Sequence, residues 1–316
     1  MRACVILNPM AHQGKAEKNW PRAEQALLRE GVDFILRRTE RPGHGIELGY
    51  QAAKEGFSPI IAAGGDGTVN EVVNGLMRAK SEGIEVPLGV IPLGTANDLT
   101  EGLGHHVDIE TSASIIKNGL ESVIDICCAR SKGESRFFII NSSIGIVSIA
   151  AIGQANAYIF KGMTGYQIAA LSTLIEHPSW DMKLEWEGGS CQENLCLVTL
   201  GKTPNDAGFY LTPSADLFDG MITFVYARQA SRSRLIKIFQ MAKKAPGPDN
   251  WINAEEVEEK QSPWLKVSAN HDISFHVDGE LFTRTMKEVE YVVLPKALRV
   301  IAGPRDMVGR NQVRSD

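Results

Sequence analysis

An aspartate set among three glycines is the feature of this sequence with the clearest chemical content. The segment reads Gly64-Gly65-Asp66-Gly67-Thr68-Val69-Asn70-Glu71. Glycine lets a backbone approach a ligand closely, and free amide groups at the start of a helix attract phosphate. An ionised Asp66 would repel phosphate unless a cation lay between them, so the segment predicts phosphate together with Mg²⁺. A tight turn with a solvated aspartate is the alternative, although the segment holds more than a turn requires.

The residues on either side predict a strand before this loop and a helix after it. The short apolar run at 59–63 is typical of a buried strand in a parallel sheet. Val69, Val72 and Leu76 fall on one helical face. Thr68 followed by Glu71 has the form of a capping box, which predicts that the helix begins at Thr68.

A second polar loop, Pro92-Leu93-Gly94-Thr95-Ala96-Asn97-Asp98, follows the next apolar run at 87–91. Helical and strand patterns alternate through this half of the chain, which indicates a parallel α/β sheet. Ligands of such sheets bind outside the carboxyl ends of the strands, so we expect Asp66 and Asp98 to approach each other. Asp125 lies in a third apolar run and needs a partner or a cation. A carboxylate satisfied by backbone amides is the alternative there.

The pattern changes near residue 126, where short strand-like runs separated by turns replace the alternation. We predict an α/β domain at 1–126 that binds nucleotide and is completed by about 291–303. A β-sandwich domain follows at 127–290 and a disordered tail at 304–316. The strand-like runs lie at 136–141, 182–186, 195–200, 221–226, 265–267 and 273–277.

Composition excludes some functions and predicts a compartment. The formal net charge of -5 and the lack of a basic stripe with interleaved aromatic residues argue against a nucleic acid partner. Five cysteines without a C-x-x-C pair predict reduced thiols in the cytoplasm. We read no targeting segment at the start of the chain. The uncharged stretch at 137–160 contains serine, asparagine and glutamine, so we expect a buried strand and a cleft lining in place of a membrane span.

The octet at 64–71 resembles the GGDGT-x-NE signature of the diacylglycerol kinase catalytic domain superfamily, which includes bacterial lipid kinases and sphingosine kinases. The segment at 92–98 is similar to the PLGT-x-ND segment of the lipid kinases, whereas NAD kinases share only GGDGT. The resemblance implies a parallel, three-layer α/β domain followed by an antiparallel β-sandwich.

The same resemblance implies which residues of the first domain bind ATP and Mg²⁺. Asp66, Asp98 and Asp125 would form a network for the catalytic magnesium. Lys15 could meet a phosphate as a point charge, with an ordinary exposed lysine as the alternative. His12 stands where a glycine is usual in the family. The implied nucleotide contacts are Asn8, Lys15, Thr39, Gly64, Gly65, Asp66, Gly67, Thr68, Asn70, Glu71, Gly94, Thr95 and Asn97.

Two further motifs lie in the second domain. The segment 210–221 resembles the P-x-A-x-x-x-DG turn, which implies a structural Mg²⁺ at Asp216, Asp219 and Met221. The family's upstream glycine cluster is thinner here, at 205–208. Val277-Asp278-Gly279-Glu280 looks like the VDGE motif, whose glutamate is the base for the acceptor hydroxyl. Strand alternation places Asp278 on the polar face, and a plain Asp-Gly hairpin is the alternative to a catalytic turn.

Together these features predict an ATP- and Mg²⁺-dependent lipid kinase. The γ-phosphate would pass to a primary hydroxyl of a diacylglycerol, phosphatidylglycerol or sphingoid lipid. Glu280, Asp66 and Asp98 would act in catalysis, and the two domains would close for the chemical step. An NAD kinase-like enzyme and a catalytically silent nucleotide- or lipid-binding regulator are the alternatives.

The predicted partner is a lipid at a membrane surface, reached by transient peripheral contact from the cytoplasm. A basic helix at 231–244 beside a loop bearing Trp251 could rest on anionic lipid. An ordinary solvated helix face is the alternative that we favour. The sequence leaves open whether the chain forms a homodimer.

Overall fold

A computed structural model describes residues 2–103, 108–149, 178–206 and 208–303. The chain divides into two compact units, the first containing residues up to 125 and those from 296 onward, the second residues 126–295. The predicted tail at 304–316, part of the uncharged stretch and Ala207 of the thinner glycine cluster lie outside the described residues.

Four parallel strands form the centre of the first unit. They are β1 (Ala3–Leu7), β2 (Phe34–Arg38), β3 (Ile60–Gly64) and β4 (Leu88–Pro92), in the order β4-β3-β1-β2. β1 and β3 are buried at every position. Continuous burial is typical of a parallel sheet with both faces covered, because an alternating pattern would leave one face in water.

Helices cover both faces of this sheet. They are α1 (Ala11–Arg29), α2 (His44–Lys54), α3 (Asp66–Ser81), α4 (Asp98–Gly102) and α5 (Ile109–Asn118). α1 and α5 pack on one face, where Trp20, Leu27 and Ile116 join a core with Val5 and Ile61. Alternate strand residues point the other way, toward the side where α2 and α3 lie.

α2 and α3 approach each other closely through glycines. A Cβ atom on Gly75 would lie 2.4 Å from the carbonyl oxygen of Ile46, and one on Gly49 would lie 3.1 Å from the carbonyl oxygen of Val72. The two helices therefore pack in close contact on one side of the sheet. The predicted three-layer arrangement is confirmed.

The second unit is built from antiparallel strands. Its strands are β5 (Leu120–Ser131), β6 (Glu134–Phe138), β7 (Asn141–Gly145), β8 (Trp180–Trp186), β9 (Gly189–Gly201), β10 (Ile222–Arg228), β11 (Val257–Ser262), β12 (Trp264–Val277) and β13 (Glu280–Ala302). The start of β5, before residue 126, and the end of β13, after residue 295, belong to the first unit. β9 pairs with β7, β8 and β10, and β12 pairs with β7, β8 and β13. The predicted β-sandwich is confirmed. β12 is one long strand where the pattern predicts two. Its register shifts between Ser268 and Phe275, and this irregularity interrupts the alternating pattern in the sequence.

Two apolar layers stabilise this second unit. Phe138, Phe224, Phe275 and Tyr291 belong to the core on one face of the sheet. On the other face, helix α6 (Arg232–Met241) packs against a separate cluster. Strand residues alternate between the two clusters, as the pleat of a β-strand requires.

Trp251 belongs to the second of these clusters and is buried. Its Nε1 donates a hydrogen bond to the carbonyl oxygen of Tyr210 at 2.8 Å. Its ring therefore completes the core beneath α6, and Trp251 is not exposed to a lipid surface. Across the described ranges, none of the helices has both the length and the apolar character needed to cross a bilayer.

The end of β13 returns to the first unit. Val300 pairs in parallel with Leu88 of β4, which extends the first sheet by one strand. Lys80 donates from Nζ to the carbonyl oxygen of Ala297 at 2.8 Å. The chain therefore completes its first unit with residues that follow the second.

Candidate active site

Two loops meet at the carboxyl ends of β3 and β4. The amide of Leu93 donates to the carbonyl oxygen of Gly64 at 2.8 Å. The amide of Asn97 donates to Oδ2 of Asp66, also at 2.8 Å. The predicted approach of the two polar loops is confirmed.

Glycine is required where these loops touch. A Cβ atom on Gly94 would lie 2.3 Å from the Cα atom of Gly65, and one on Gly64 would lie 2.3 Å from Oγ1 of Thr68. The backbone of Gly65 leaves no room for a side chain on Gly94, and the side chain of Thr68 leaves none on Gly64. Contact between the two loops therefore accounts for Gly94, and packing within the first loop accounts for Gly64, before any ligand is considered.

Backbone amides surround the carboxylate of Asp66. It accepts hydrogen bonds from the amides of Asn97, Asp98 and Leu99, at the start of the short helix α4. Burial raises the pKa of Asp66 above its ordinary value, and these amides oppose that rise because they favour the charged form. A cation beside the carboxylate would add to the effect of the amides.

Asn97 shapes the second loop. Its φ of 58° lies in the left-handed region, which asparagine tolerates better than most residues. Its Oδ1 accepts from the amide of Gly94 at 3.0 Å, while its own amide points at Asp66. Thr95, at the tip between them, is exposed. Asn97 therefore positions the loop, and Thr95 is accessible to a ligand.

The predicted capping box is wrong. α3 begins at Asp66, with Gly65 in the N-cap position and no side-chain cap. The carboxylate of Glu71 accepts from the amides of Gly43 and Gly45, each at 2.7 Å, where α2 begins. The start of a neighbouring helix offers unpaired amides within reach of Glu71, and Thr68 already lies inside the first turn of α3. The prediction that Glu71 contacts nucleotide stays untested.

The other expected nucleotide contacts of the first unit border the same edge of the sheet. Asn8 follows β1 and donates from Nδ2 to Oγ1 of Thr68 at 3.1 Å. The amide of Thr39, which follows β2, donates to the carbonyl oxygen of Leu7 at 2.9 Å. Asn70 is buried in α3 and accepts from Nδ2 of Asn74 at 3.2 Å. Asn8 and Thr39 therefore join the loop junction, whereas the side chain of Asn70 is directed into the protein.

Lys15 is exposed and follows three residues with left-handed backbone. His12, Gln13 and Gly14 have φ values of 50°, 57° and 81°. Such a run interrupts α1 near its start, so the regular helix begins close to Lys15. The lysine is accessible to an anion there.

The three acidic residues expected to hold magnesium do not form a metal cluster by themselves. Asp98 and Asp125 are both buried, and Oδ1 of Asp125 accepts from the amide of Lys296 at 2.9 Å. Over the part of the chain that the structure describes, no three carboxylates, histidines or cysteines lie close enough to hold a metal ion. A magnesium network of Asp66, Asp98 and Asp125 stays a prediction that needs further ligands, such as phosphate oxygens or water.

The predicted catalytic turn of the second unit is a two-residue hairpin. Asp278 and Gly279 have φ values of 45° and 77°, and Val277 pairs with Glu280 across the turn. This geometry is that of a type I′ turn, which the Asp-Gly sequence favours. Glu280 is half-buried at the start of β13, and its Oε2 accepts from Nη1 of Arg136 at 3.1 Å. The hairpin and a catalytic Glu280 are thus compatible.

The carboxylate of Asp278 has a role that the sequence did not reveal. It accepts hydrogen bonds from three consecutive amides, those of Ile139, Ile140 and Asn141, at 3.1, 3.0 and 2.9 Å. Asp278 is buried, so its expected place on the polar face is wrong. Amides left unpaired where β6 gives way to β7 attract the carboxylate, and nothing local to Asp278 indicates them.

The expected structural magnesium site contains an ammonium group. Nζ of Lys202 lies 2.7 Å from Oδ1 of Asp219 and 2.7 Å from the carbonyl oxygen of Met221. Asp216 is exposed, and its Oδ1 accepts from the amide of Phe218 at 2.8 Å. The residues present do not fit a divalent cation at this turn. Lys202 was not among the predicted site residues. The available signal was its position directly after an apolar, strand-like run.

A cavity of about 60 Å³ lies beneath α6 in the second unit. The apolar cluster on that face of the sheet lines it. Among the residues that the structure describes, no charged side chain contributes to this lining. The lining residues are Ile146, Val147, Cys196, Leu197, Phe209, Leu211, Ala227, Leu235, Ile238, Phe239, Ala242 and Trp251.

Comparisons with known proteins agree with this architecture. Residues 2–129 match the diacylglycerol kinase catalytic domain family, and residues 143–302 match the YegS C-terminal NAD kinase beta sandwich-like domain. A diacylglycerol kinase of Staphylococcus aureus strain MRSA252 is 28% identical over 325 residues, covering 100% of this chain and 96% of that protein.

Solved structures show the same fold. A crystal structure of a diacylglycerol kinase from Bacillus anthracis strain Sterne has a TM-score of 0.72 at 20% identity, covering 96% of this chain and 97% of the other. Yeast NADH kinase complexed with NADH has a TM-score of 0.54 at 11% identity, covering 100% and 89%.

A parallel α/β unit with an aspartate at its loop junction, followed by an antiparallel sandwich, defines a kinase of the class shared by lipid and NAD kinases. Both halves of the chain match family models for this class. The chain belongs to the diacylglycerol kinase catalytic domain superfamily, and it is a lipid kinase that uses ATP.

Proposed function

We propose that this chain transfers the γ-phosphate of ATP, with Mg²⁺, to the primary hydroxyl of a diacylglycerol. The relative from S. aureus, which aligns with the whole chain, carries that activity in its name. The observation on which the chemistry rests is the carboxylate of Asp66, held by backbone amides where two glycine-containing loops meet. Phosphatidylglycerol and sphingoid lipids also offer a hydroxyl on an apolar body and must be tested beside diacylglycerol.

In this proposal the phosphates of ATP lie against the loop at 64–68. Amides at the start of α3 and the exposed Thr95 would contact them. Asp66, Asp98 and Asp125 would form the network that holds the magnesium ion. The ion, when bound, would offset charge on the transferring phosphoryl group. The chain itself mainly orients the nucleotide.

Glu280 is the proposed base for the acceptor hydroxyl. A base must be ionised and correctly oriented before it can take a proton. Nη1 of Arg136 lies 3.1 Å from its Oε2 and holds the carboxylate in one orientation. The type I′ turn, with Asp278 anchored on three amides, holds the first residue of β13 in place.

The cavity beneath α6 supports a lipid as the acceptor. Its lining consists of aliphatic and aromatic side chains with one thiol, which suits hydrocarbon and offers nothing to a charged dinucleotide. We propose that part of an acyl chain of the lipid enters this cavity, while the acceptor hydroxyl stays outside it. The enzyme would reach such a lipid by transient contact with a membrane surface.

Transfer of label from [γ-³²P]ATP tests the proposal. The acceptors are diacylglycerol, phosphatidylglycerol, ceramide and sphingosine in mixed micelles, and NAD in solution. We expect the largest kcat/KM with diacylglycerol, and its loss in Glu280→Gln. Glu185→Gln is the matched control, because Glu185 is a half-buried glutamate of the same unit that also pairs with a basic side chain, that of Lys183. Label in NAD, or in no lipid at all, would overturn the proposal.

A further inference from the structure

Lys202 is a buried lysine that directly follows β9 and whose side chain reaches the turn that precedes β10. Its side chain is 0% exposed. The Nζ atom donates to Oδ1 of Asp219 and to the carbonyl oxygen of Met221, both at 2.7 Å. Asp219 and Met221 are two of the three residues that the family resemblance assigns to a structural magnesium ion, which one carboxylate and two backbone carbonyls would hold.

An ammonium group and a divalent cation cannot share this position. Mg²⁺ sits roughly 2.1 Å from each oxygen ligand and demands nearly octahedral geometry. Distances of 2.7 Å are those of charge-assisted hydrogen bonds from nitrogen. A second cation between the same oxygens would repel the ammonium group of Lys202, whose side chain is fully buried.

We propose that the ammonium of Lys202 replaces the structural divalent cation, so that the second unit folds without one. The carboxylate of the third residue, Asp216, is engaged elsewhere. The carboxylate of Asp216 accepts from the amide of Phe218 within its own turn and is exposed. The turn is thus closed by the ammonium group of Lys202 and by local hydrogen bonds from the amides of Phe218 and Met221 to the carboxylates of Asp216 and Asp219.

The lysine joins two strands and the segment between them. Its backbone amide donates to the carbonyl oxygen of Ile140 at 2.9 Å, directly after the end of β9. Its ammonium group reaches the residues that lead into β10. Phe209 and Leu211, which line the apolar cavity, lie in the connecting segment. The wall of that cavity therefore keeps its shape whether or not divalent ions are present.

Thermal unfolding of the nucleotide-free, full-length chain tests this proposal. The wild type and Lys202→Met are melted after chelation with EDTA and again in millimolar Mg²⁺. We expect the wild-type Tm to be the same in both conditions. Lys202→Met should melt about 5 °C lower in EDTA, because the carboxylate of Asp219 and the carbonyl group of Met221 lose their buried ammonium partner. Mg²⁺ should restore part of that loss by occupying the vacated space beside Asp219.

Matched variants separate this effect from ordinary loss of a lysine. Lys183→Met removes an exposed lysine paired with Glu185 and should melt within about 2 °C of the wild type. Without nucleotide, the described residues of the first unit bring no three metal-ligating side chains together, so we expect no ion bound there to shift Tm. Metal analysis of the purified wild type provides a second measurement if Lys202→Met does not fold. A wild type with one tightly held divalent ion, a Tm that falls in EDTA, or a Lys202→Met chain that melts with the control would each overturn the proposal.

Discussion

The carboxylate of Asp66 combines two functions that its sequence context only partly revealed. Its position after a buried strand and its approach to the second loop were both predictable, because parallel strands end at one edge. Its hydrogen bonds to the amides at the start of α4 were not, since they depend on the left-handed backbone of Asn97. The same side chain therefore positions the loops and is the proposed magnesium ligand.

Replacement of Asp66 should abolish turnover while the fold is kept. We expect Asp66→Asn to lower kcat by at least about 10³-fold, because the amide group cannot neutralise a metal ion and cannot accept from all three backbone amides. Steady-state transfer from labelled ATP measures the effect, and circular dichroism checks the fold. Asp33→Asn, at an exposed aspartate of the same unit, is the control. Wild-type turnover by Asp66→Asn would exclude Asp66 from the chemistry.

Arg136 should matter for the orientation of Glu280. Its guanidinium contacts Oε2 of Glu280 and lies 6.0 Å from the ring centroid of Phe282. We expect Arg136→Met to lower kcat by roughly 10-fold, since a base that is not held loses part of its rate contribution. The KM for ATP should not change, and Arg136→Lys should recover part of kcat. An Arg136→Met enzyme altered only in KM for ATP would contradict this role.

At the scale of elements, most strands of the first unit were predictable because continuous apolar runs identify buried parallel strands. The residues at which helices begin were harder to predict. Thr68 and Glu71 fit a capping pattern, but Glu71 is bound by amides of another helix, and such contacts between elements leave no local signal. The anchoring of Asp278 and the ion pair of Lys202 were missed for the same reason, since their partners are distant in sequence.

The junction of the two loops should tolerate no side chain at Gly94. We expect Gly94→Ala to destabilise the chain by about 2 kcal/mol or more, because its Cβ atom would lie 2.3 Å from the backbone of Gly65. Gly89→Ala in β4 is the matched control, since its nearest contacts are flexible isoleucine side chains at 3.2 Å. Urea unfolding of both variants measures the difference. Equal free energies of unfolding would show that the loops do not pack as described.

His276 on β12 should make the stability of the chain depend on pH. It is buried, neither ring nitrogen has a hydrogen-bond partner, and burial lowers its pKa from 6.5 to about 4. The unfolded chain binds a proton below pH 6.5 and the folded chain does not, so stability is full above that pH and falls as pH drops toward 4. We expect a loss of about 2 kcal/mol between pH 7.5 and about pH 5.

Substitution of the histidine isolates this contribution. His276→Gln should remove that part of the pH dependence, as measured by urea unfolding at both pH values. His271→Gln, at an exposed histidine of the same strand, should leave the pH dependence as it is in the wild type. If His276→Gln loses as much stability on acidification as the wild type, another group is responsible.

At the scale of the whole molecule, the two units carry different tasks. The first presents the loop junction with Asp66, and the second presents Glu280 and an apolar cavity. Each unit has its own core, so a change in the cavity lining should leave the nucleotide loops intact. This separation gives the proposed acceptor site a test of its own.

Ala242→Leu is the substitution that distinguishes a lipid site from a packing defect. Ala242 lines the cavity and is 3% exposed, so a leucine there would occupy space now empty. If an acyl chain enters the cavity, KM for a long-chain diacylglycerol should rise about 10-fold, a loss of about 1.4 kcal/mol in binding. KM for ATP should be unchanged, and a short-chain diacylglycerol should be affected less. A merely unfilled void predicts instead a chain that is as stable as the wild type or more so, with all kinetic constants unchanged.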